Sequence, residues 1–207
     1  MSDSDCFQCS KKDDAATFQR CSRCKEAVYC SVDCQKAHWK AHKLSCIAEG
    51  VVRGMIMACD SDSHSPNYLF RETDIDASHP IHTRGVICPV SVKAGLPIII
   101  YRHLQQNPLT MGFNPGLDNQ RATYLMIDPT TPRWQQGVGS VTVMRQDGKP
   151  LTRASIETIW MYHDRILDVF GDDHSSAHAM MNPNAFLRFC RTYKRDNAQC
   201  KDMPVPL

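Results

Sequence analysis

The stretch CFQCSKKDDAATFQRCSRCKEAVYCSVDCQKAHWKAHKLSC, residues 6–46, decides how the first part of this chain folds. It holds two Cys-x2-Cys pairs, a Cys-x3-Cys pair and a His-x3-Cys pair. Zinc takes four sulfur or nitrogen ligands in a tetrahedron, so eight ligand-type residues predict two Zn²⁺ ions in one small unit. The eight residues are Cys6, Cys9, Cys21, Cys24, Cys30, Cys34, His42 and Cys46.

Buried thiols or disulfide bonds are the alternative explanation for so many cysteines. The tight spacing of Cys6 with Cys9 and of Cys21 with Cys24 favours metal, because so short a loop turns two thiolates toward one ion. No secretory signal precedes these pairs, and thiols stay reduced in the cytoplasm and nucleus. We therefore expect zinc-bound cysteines in a cytoplasmic or nuclear protein.

The order of these residues resembles the MYND zinc finger. Besides the two pairs, the chain shares with that family Tyr29-Cys30, Cys34-Gln35, His38-Trp39 and His42-x3-Cys46. The resemblance implies a cross-brace, in which each ion joins distant parts of the finger. The first zinc is then held by Cys6, Cys9, Cys30 and Cys34. The second is held by Cys21, Cys24, His42 and Cys46. Spacing alone also permits a sequential pairing, and His38 competes with His42 as a ligand.

The resemblance also implies a peptide groove. Residues at the positions of Ser22, Gln35 and Trp39 line the groove in MYND fingers that bind proline-containing peptides. Gln35 and Trp39 are four residues apart on a predicted helix and share a face. The alternative is that Trp39 packs against a following helix while Gln35 is solvated. The chain's own tail, residues 204–207, is a further candidate occupant of the groove.

Charge argues against direct binding of nucleic acid. The formal net charge is +2, but two Zn²⁺ ions add four charges and seven ligand thiolates remove seven, which leaves −1. Residues 1–49 hold eight Lys or Arg against seven Asp or Glu, so the finger is no basic patch. No apolar run reaches the roughly 20 residues that cross a bilayer, so we expect no membrane association. The oligomeric state is open.

Beyond the finger, the pattern predicts an α+β domain, with several strands followed by two amphipathic helices. The predicted divisions are the MYND finger at 1–49, a helix extension and polar linker at 50–85, the α+β domain at 86–201, and an extended tail at 202–207. Ile47, Val51 and Met55 recur at helical spacing and predict the helix extension. Strands are predicted at 86–92, 96–103, 123–127 and 138–145.

Two helices are predicted to close the chain. Thr152 is the expected N-cap of a helix ending near Phe170, and Asn182 with Pro183 is expected to begin another, joined to it by an irregular link. The region resembles the carboxyl-terminal part of fungal MYND-finger proteins, a resemblance that implies no activity.

Enzyme signatures are missing from the rest of the chain. Some MYND proteins carry a SET methyltransferase or an iron-dependent oxygenase, but no SET signature occurs and none of the nine histidines is followed two residues later by Asp or Glu. Cys88 with His103 or His163 is a candidate thiol–imidazole pair, although a buried structural cysteine is favoured. His64, His79 and His82 are interpreted as solvated loop residues rather than a metal site.

These observations favour a zinc-dependent protein-interaction module, an adaptor or regulatory protein and not an enzyme. The expected partners are proteins with proline-rich motifs. The alternative is an enzyme or small-molecule binder that uses residues 86–200.

Overall fold

A computed structural model describes residues 3–14, 18–43, 46–62, 69–104, 114–126 and 138–197. The chain divides into two compact units, Met1–Val51 and Val52–Leu207. Among the described helices, none combines the length and apolar character that a bilayer span needs.

Two short antiparallel hairpins and one helix build the first unit. Strand β1 (Asp3–Asp5) pairs with β2 (Lys12–Asp14), and β3 (Gln19–Arg20) pairs with β4 (Val28–Tyr29). Each hairpin loop contains one Cys-x2-Cys pair. The residue after each pair, Ser10 or Lys25, has a positive φ of 56° or 59°, and its N–H bonds back to the carbonyl of the first cysteine. The two loops therefore turn alike and present their thiols in the same way.

Helix α1 (Val32–His42) follows β4 directly. Its start is fixed by Ser31, whose side chain accepts a hydrogen bond from the backbone N–H of Cys34 at 3.2 Å. Asp33 lies in the first turn, and Lys40 and His42 lie in the last turn, which suits the helix dipole. The helix thereby carries two of the predicted ligands, one near each end.

An antiparallel five-stranded sheet with the order β6-β5-β9-β8-β7 forms the second unit. Its strands are β5 (Val52–Met57), β6 (Phe70–Ile75), β7 (Val86–Ile87), β8 (Ile98–Arg102) and β9 (Val141–Arg145). The central strand β9 pairs Val143 with Met55 of β5 and with Ile100 of β8. These three side chains are fully buried and form the middle of the core.

Among the described residues, six α-helices belong to the same unit as the sheet. They are α2 (Ile81–Arg84), α3 (Pro89–Lys93), α4 (Gln120–Met126), α5 (Arg153–Asp172), α6 (His174–Met180) and α7 (Pro183–Asp196). The longest, α5, begins at its N-cap Thr152 and buries Ile156, Ile159 and Ile166 in the same core as the sheet. Helix α7 begins at Asn182 and adds Phe186 and Cys190. Both N-caps were predicted correctly, and the α+β class is confirmed.

Two predictions for the segment after the finger were wrong. Residues 52–57 form strand β5 rather than a helix, because Met55 and Met57 are buried in the main core while Val52 belongs to the smaller cluster with Ile75. A short apolar run buried on both faces fits helix and strand equally well. The polar segment assigned to a linker contains the edge strand β6, of which only the first and last side chains are fully buried.

Three further assignments need correction. The strand predicted at 123–127 is wrong, because residues 123–126 belong to α4, and the strand predicted at 86–92 ends at Ile87 because Pro89 opens α3. The link before α7, predicted to be irregular, contains helix α6. The last part of the described chain therefore holds three helices instead of two. The strands predicted at 96–103 and 138–145 are present as β8 and β9. His64 and the tail at 202–207 lie outside the described residues.

Candidate metal centres and the adjoining groove

The first cluster consists of four cysteines and joins the first hairpin to helix α1. The Sγ atoms of Cys6, Cys9, Cys30 and Cys34 all lie within 4.8 Å of one another. Cys9 and Cys30 are 3.6 Å apart, and Cys30 and Cys34 are 3.5 Å apart, measured between sulfurs. Residues from both sides of the second hairpin thus meet at one point.

The second cluster joins the second hairpin to the end of helix α1. It contains Cys21, Cys24, His42 and Cys46, all four of them buried. The sulfurs of Cys21 and Cys46 are 3.8 Å apart, and the Cys24 sulfur lies 3.6 Å from Nε2 of His42. The ligand nitrogen of the histidine is therefore identified as Nε2.

These separations fit tetrahedral zinc. A Zn–S bond of about 2.3 Å sets neighbouring sulfurs roughly 3.8 Å apart, and a Zn–N bond of about 2.1 Å sets sulfur and nitrogen roughly 3.6 Å apart. Seven thiolates and one imidazole are soft ligands that suit zinc and do not suit calcium or magnesium. Each set of four completes the coordination shell, so both sites are structural, and the prediction of two Zn²⁺ ions is confirmed.

The pairing is interleaved. Cys30 and Cys34 close the site begun by Cys6 and Cys9, while the intervening pair, Cys21 and Cys24, belongs to the other site. The cross-brace implied by the family resemblance is present, and the sequential pairing that spacing also permitted is wrong. Each ion ties segments that are 18 or more residues apart, which restricts a chain too short for a large apolar core.

His38 supports the second site from outside the ligand set. Its Nδ1 is hydrogen-bonded at 3.1 Å to the hydroxyl of Tyr29, which is fully buried. The His38 ring also stacks on His42, with ring centroids 5.9 Å apart. His38 thus contacts the ligand His42 without binding zinc itself, and it restricts the orientation of that ligand. The sequence did not indicate this hydrogen bond, because it left His38 and His42 as competing candidates for the ligand.

The electrostatics of the first site explain why a cation is needed there. Burial raises the pKa of the Cys6 thiol, but backbone N–H groups of Cys30, Cys9 and Gln8 outweigh burial and lower the pKa overall. The thiol of Cys30 has its pKa raised, chiefly by the side chains of Cys34 and Cys9. Crowded thiolates repel one another, and a bound divalent cation removes that repulsion.

A groove adjoins the second site. A pocket of about 340 Å³ lies between the second cysteine loop and one face of α1, and it is lined by Cys21, Ser22, Arg23, Gln35, Lys36 and Trp39. Ser22, Gln35 and Trp39, the residues that the family resemblance singles out, therefore surround one cavity. Trp39 is 42% exposed and meets the ring of His42 edge-on. The helix against which it was alternatively expected to pack is absent, because β5 occupies residues 52–57.

Cys88 contacts His163 but not in a catalytic arrangement. The Cys88 sulfur lies 3.3 Å from Nε2 of His163, whose Nδ1 donates to the carbonyl of Ile159 at 2.8 Å. Burial raises the pKa of Cys88 to about 11 and lowers that of His163 to about 4. Both groups are therefore neutral, the reverse of a thiolate–imidazolium pair, and they form a hydrogen bond inside the core. His103 bonds instead to Thr142.

The two histidines before and within α2 form hydrogen bonds with nearby backbone atoms. Nδ1 of His79 accepts a hydrogen bond from the N–H of Ile81, and Nε2 of His82 bonds to the carbonyl of Asp76. Within the described ranges, the two zinc clusters are the only groups of three or more such side chains that could hold a metal. His79 and His82 are thus not gathered into a third site.

Comparison with known proteins identifies residues 6–46 as a MYND finger, which is a protein-interaction module. The chain is 59% identical over 31 residues to N-lysine methyltransferase SMYD2-A of Xenopus laevis, and 55% identical over 29 residues to human N-lysine methyltransferase SMYD2. It is 44% identical over 45 residues to a SET and MYND domain-containing protein of Dictyostelium discoideum.

These similarities cover a small part of each protein. They span 15%, 14% and 20% of this chain, respectively, and only 7%, 7% and 8% of the relatives' own lengths. The similarity is confined to the finger and gives no indication of a methyltransferase domain in this chain. No solved structure matches the chain. The expected resemblance of the second unit to fungal proteins stays a prediction.

Proposed function

We propose that the MYND finger of this chain binds extended, proline-containing segments of partner proteins in the groove between Ser22 and Trp39. The observation that carries the proposal is the convergence of Ser22, Gln35 and Trp39 on one pocket beside a structural zinc site. The chain then acts as an adaptor or regulatory protein rather than as an enzyme.

The exposed ring of Trp39 supplies the apolar surface. Proline-rich segments adopt the polyproline II conformation before binding, so they lose little conformational entropy when they dock on an aromatic side chain. Trp39 offers such a surface, because 42% of the side chain is exposed while its edge rests on His42. The ring is held in place before any peptide arrives.

The polar wall of the groove offers hydrogen-bond donors. Proline has no backbone N–H, so a proline-rich peptide presents mainly carbonyl oxygens. The hydroxyl of Ser22 and the side-chain amide of Gln35 both donate to carbonyls. These donors suit a peptide backbone that presents carbonyl oxygens.

Zinc coordination holds both walls of the groove. Cys21, a ligand of the second site, immediately precedes Ser22, and His42, another ligand, lies three residues after Trp39. Cys34 of the first site precedes Gln35. The chain's ligands thereby fix the separation of the cysteine loop from the helix, and peptide binding is expected to depend on the metal.

The affinity should be modest. A short peptide in this groove buries far less area than the roughly 1,600 Å² of a standard protein–protein interface. We therefore expect dissociation constants in the micromolar range or weaker, with tighter binding only when a partner carries several motifs.

The second unit is proposed to support the adaptor role. The alternative, an enzyme or small-molecule binder using residues 86–200, is disfavoured because the Cys88–His163 pair is neutral and fully buried. We propose a cytoplasmic or nuclear location, where thiols stay reduced, and no direct role in binding nucleic acid.

The test is a proline-rich peptide array probed with the full zinc-loaded chain and with Trp39→Ala. The wild type should bind a subset of peptides, and the variant should lose them while keeping two zinc ions. The matched control is Phe7→Ala, which removes an aromatic side chain that is 58% exposed and lies outside the groove lining. Binding that survives Trp39→Ala, or an array without any bound proline peptide, would contradict the proposal.

A further inference from the structure

Helix α1 and its C-cap residue carry a row of lysines that begins at the groove. Lys36, Lys40 and Lys43 follow one another at intervals of four and three residues, so they share one face of the helix, and all three are exposed. Lys36 itself lines the pocket, next to Gln35 and one turn before Trp39. We call Lys36, Lys40 and Lys43 the lysine row.

One acidic residue lies on the same face of the helix as these lysines, three residues before Lys36. The only acidic residue of α1 is Asp33, in the first turn. Within the part of the chain that the structure describes, no member of the lysine row makes an ion pair or a side-chain hydrogen bond. Their charges are therefore available to a molecule lying in the groove.

The lining of the groove has the same sign. It includes two cationic residues, Arg23 and Lys36, and no carboxylate. The second zinc site contributes a net charge of −1, from three thiolates and one Zn²⁺ ion, and one of its buried ligands, Cys21, belongs to the lining. The charged side chains of the lining itself are therefore both cationic.

We propose that the occupant of the groove is a proline-containing segment flanked by acidic residues, whose carboxylates lie against the lysine row. This inference rests on the proposed function and specifies the chemistry of the partner. Trp39, Ser22 and Gln35 recognise the proline backbone, and the lysine row selects among such segments by charge. Exposed ion pairs are individually weak, so the row acts mainly on specificity and on the rate of association.

The experiment uses three peptides with one proline core, flanked on both sides by Glu, by Gln or by Lys. Binding to the full zinc-loaded chain is measured by fluorescence anisotropy at 50 and 300 mM NaCl. The wild type should prefer the Glu peptide to the Gln peptide by about three- to five-fold at low salt. The preference should shrink at high salt, because counterions screen exposed charges.

Substitutions of Lys36 separate charge recognition from groove integrity. Lys36→Gln should remove most of the preference for the Glu peptide over the Gln peptide, measured as the ratio of the two dissociation constants. Lys36→Glu should prefer the Lys peptide, a reversal that a merely structural role would not produce. The control Lys12→Gln removes the same charge from β2, outside the groove lining, and should keep the wild-type preference.

Three results would overturn the inference. Equal wild-type binding of the Glu and Gln peptides would refute the charge selection while leaving the proline groove intact. A uniform loss of all three peptides in Lys36→Gln would assign Lys36 to the groove structure instead. A single-stranded oligonucleotide that binds more tightly than the Glu peptide, and loses affinity in Lys36→Gln, would assign the row to phosphate.

Discussion

At the scale of single residues, the choice between two histidines shows how the finger is specified. His38 and His42 are one helical turn apart, and either imidazole has the chemistry of a zinc ligand. The structure places Nε2 of His42 beside the Cys24 sulfur, and it commits His38 to the buried hydroxyl of Tyr29. One residue binds the metal and the other restricts the orientation of its ring.

Cobalt substitution should distinguish the roles of the two histidines. Wild-type protein loaded with Co²⁺ should show one four-sulfur site and one three-sulfur, one-nitrogen site in its absorption spectrum. His42→Ala should change only the second spectrum and lower the affinity of that site by at least ten-fold, because it opens a coordination position. His38→Ala should retain both metals and both spectra. Loss of one metal in His38→Ala, or two identical wild-type sites, would contradict the ligand assignment.

At the scale of elements, helix α5 carries a buried titratable group into the core. His163 donates from Nδ1 to Ile159 within the helix and accepts from the Cys88 thiol before α3. Burial lowers its pKa from 6.5 to about 4. The folded chain therefore holds this imidazole neutral over a pH range in which the unfolded chain protonates it.

This difference predicts a pH dependence of stability. Since the pKa is lower in the folded state, His163 favours folding fully above pH 6.5, and this contribution is lost as the pH falls toward 4. A shift of this size corresponds to about 3 kcal/mol. His79 and His103 have pKa values lowered mainly by burial and act in the same direction.

The variant His163→Gln measures how much this buried histidine contributes to the pH dependence of stability. Urea unfolding of the second unit, followed by hydrogen exchange of α5 peptides at pH 7 and pH 5, should show a smaller loss of stability at pH 5 in the variant. His82→Gln, which removes an exposed histidine from α2, is the matched control and should behave like the wild type. Equal pH dependence of His163→Gln and wild type would show that His163 is not held neutral.

At the scale of the whole molecule, the two units are stabilised by different means. The buried cluster of the first unit consists of Cys6, Phe18, Cys21, Cys24, Ala27, Tyr29 and Cys46, most of which are metal ligands. The core of the second unit is built from side chains of the sheet and of helices α3 to α7, and none of the zinc ligands belongs to it. The free energy of metal binding thus stabilises the folded state of the first unit only.

Chelation should therefore unfold one unit and spare the other. After removal of zinc, hydrogen exchange should become fast throughout α1 and the two hairpins, while β5, β9 and α5 keep their protection. Elemental analysis before chelation should give two zinc ions per chain. A single cooperative loss of protection along the whole chain would contradict the independence of the two units.

The sequence by itself determined the zinc finger. Metal ligands must recur at spacings that loops and helix turns impose, so the eight ligands, Ser31 as N-cap and the face shared by Gln35 and Trp39 were readable from residue order. The same holds for α5 and α7, whose N-caps and apolar stripes are local signals. Such features depend on residues near one another in the chain.

Only the tertiary structure decided what depends on distant partners. Residues 52–57 form a strand because β6 and β9 pair with them, and residues 120–126 form a helix whose Ala122 and Leu125 are buried in the main core. The contact of Cys88 with His163 joins residues 75 positions apart. Short apolar segments satisfy either secondary structure locally, so the free energy of burial against distant elements makes the choice.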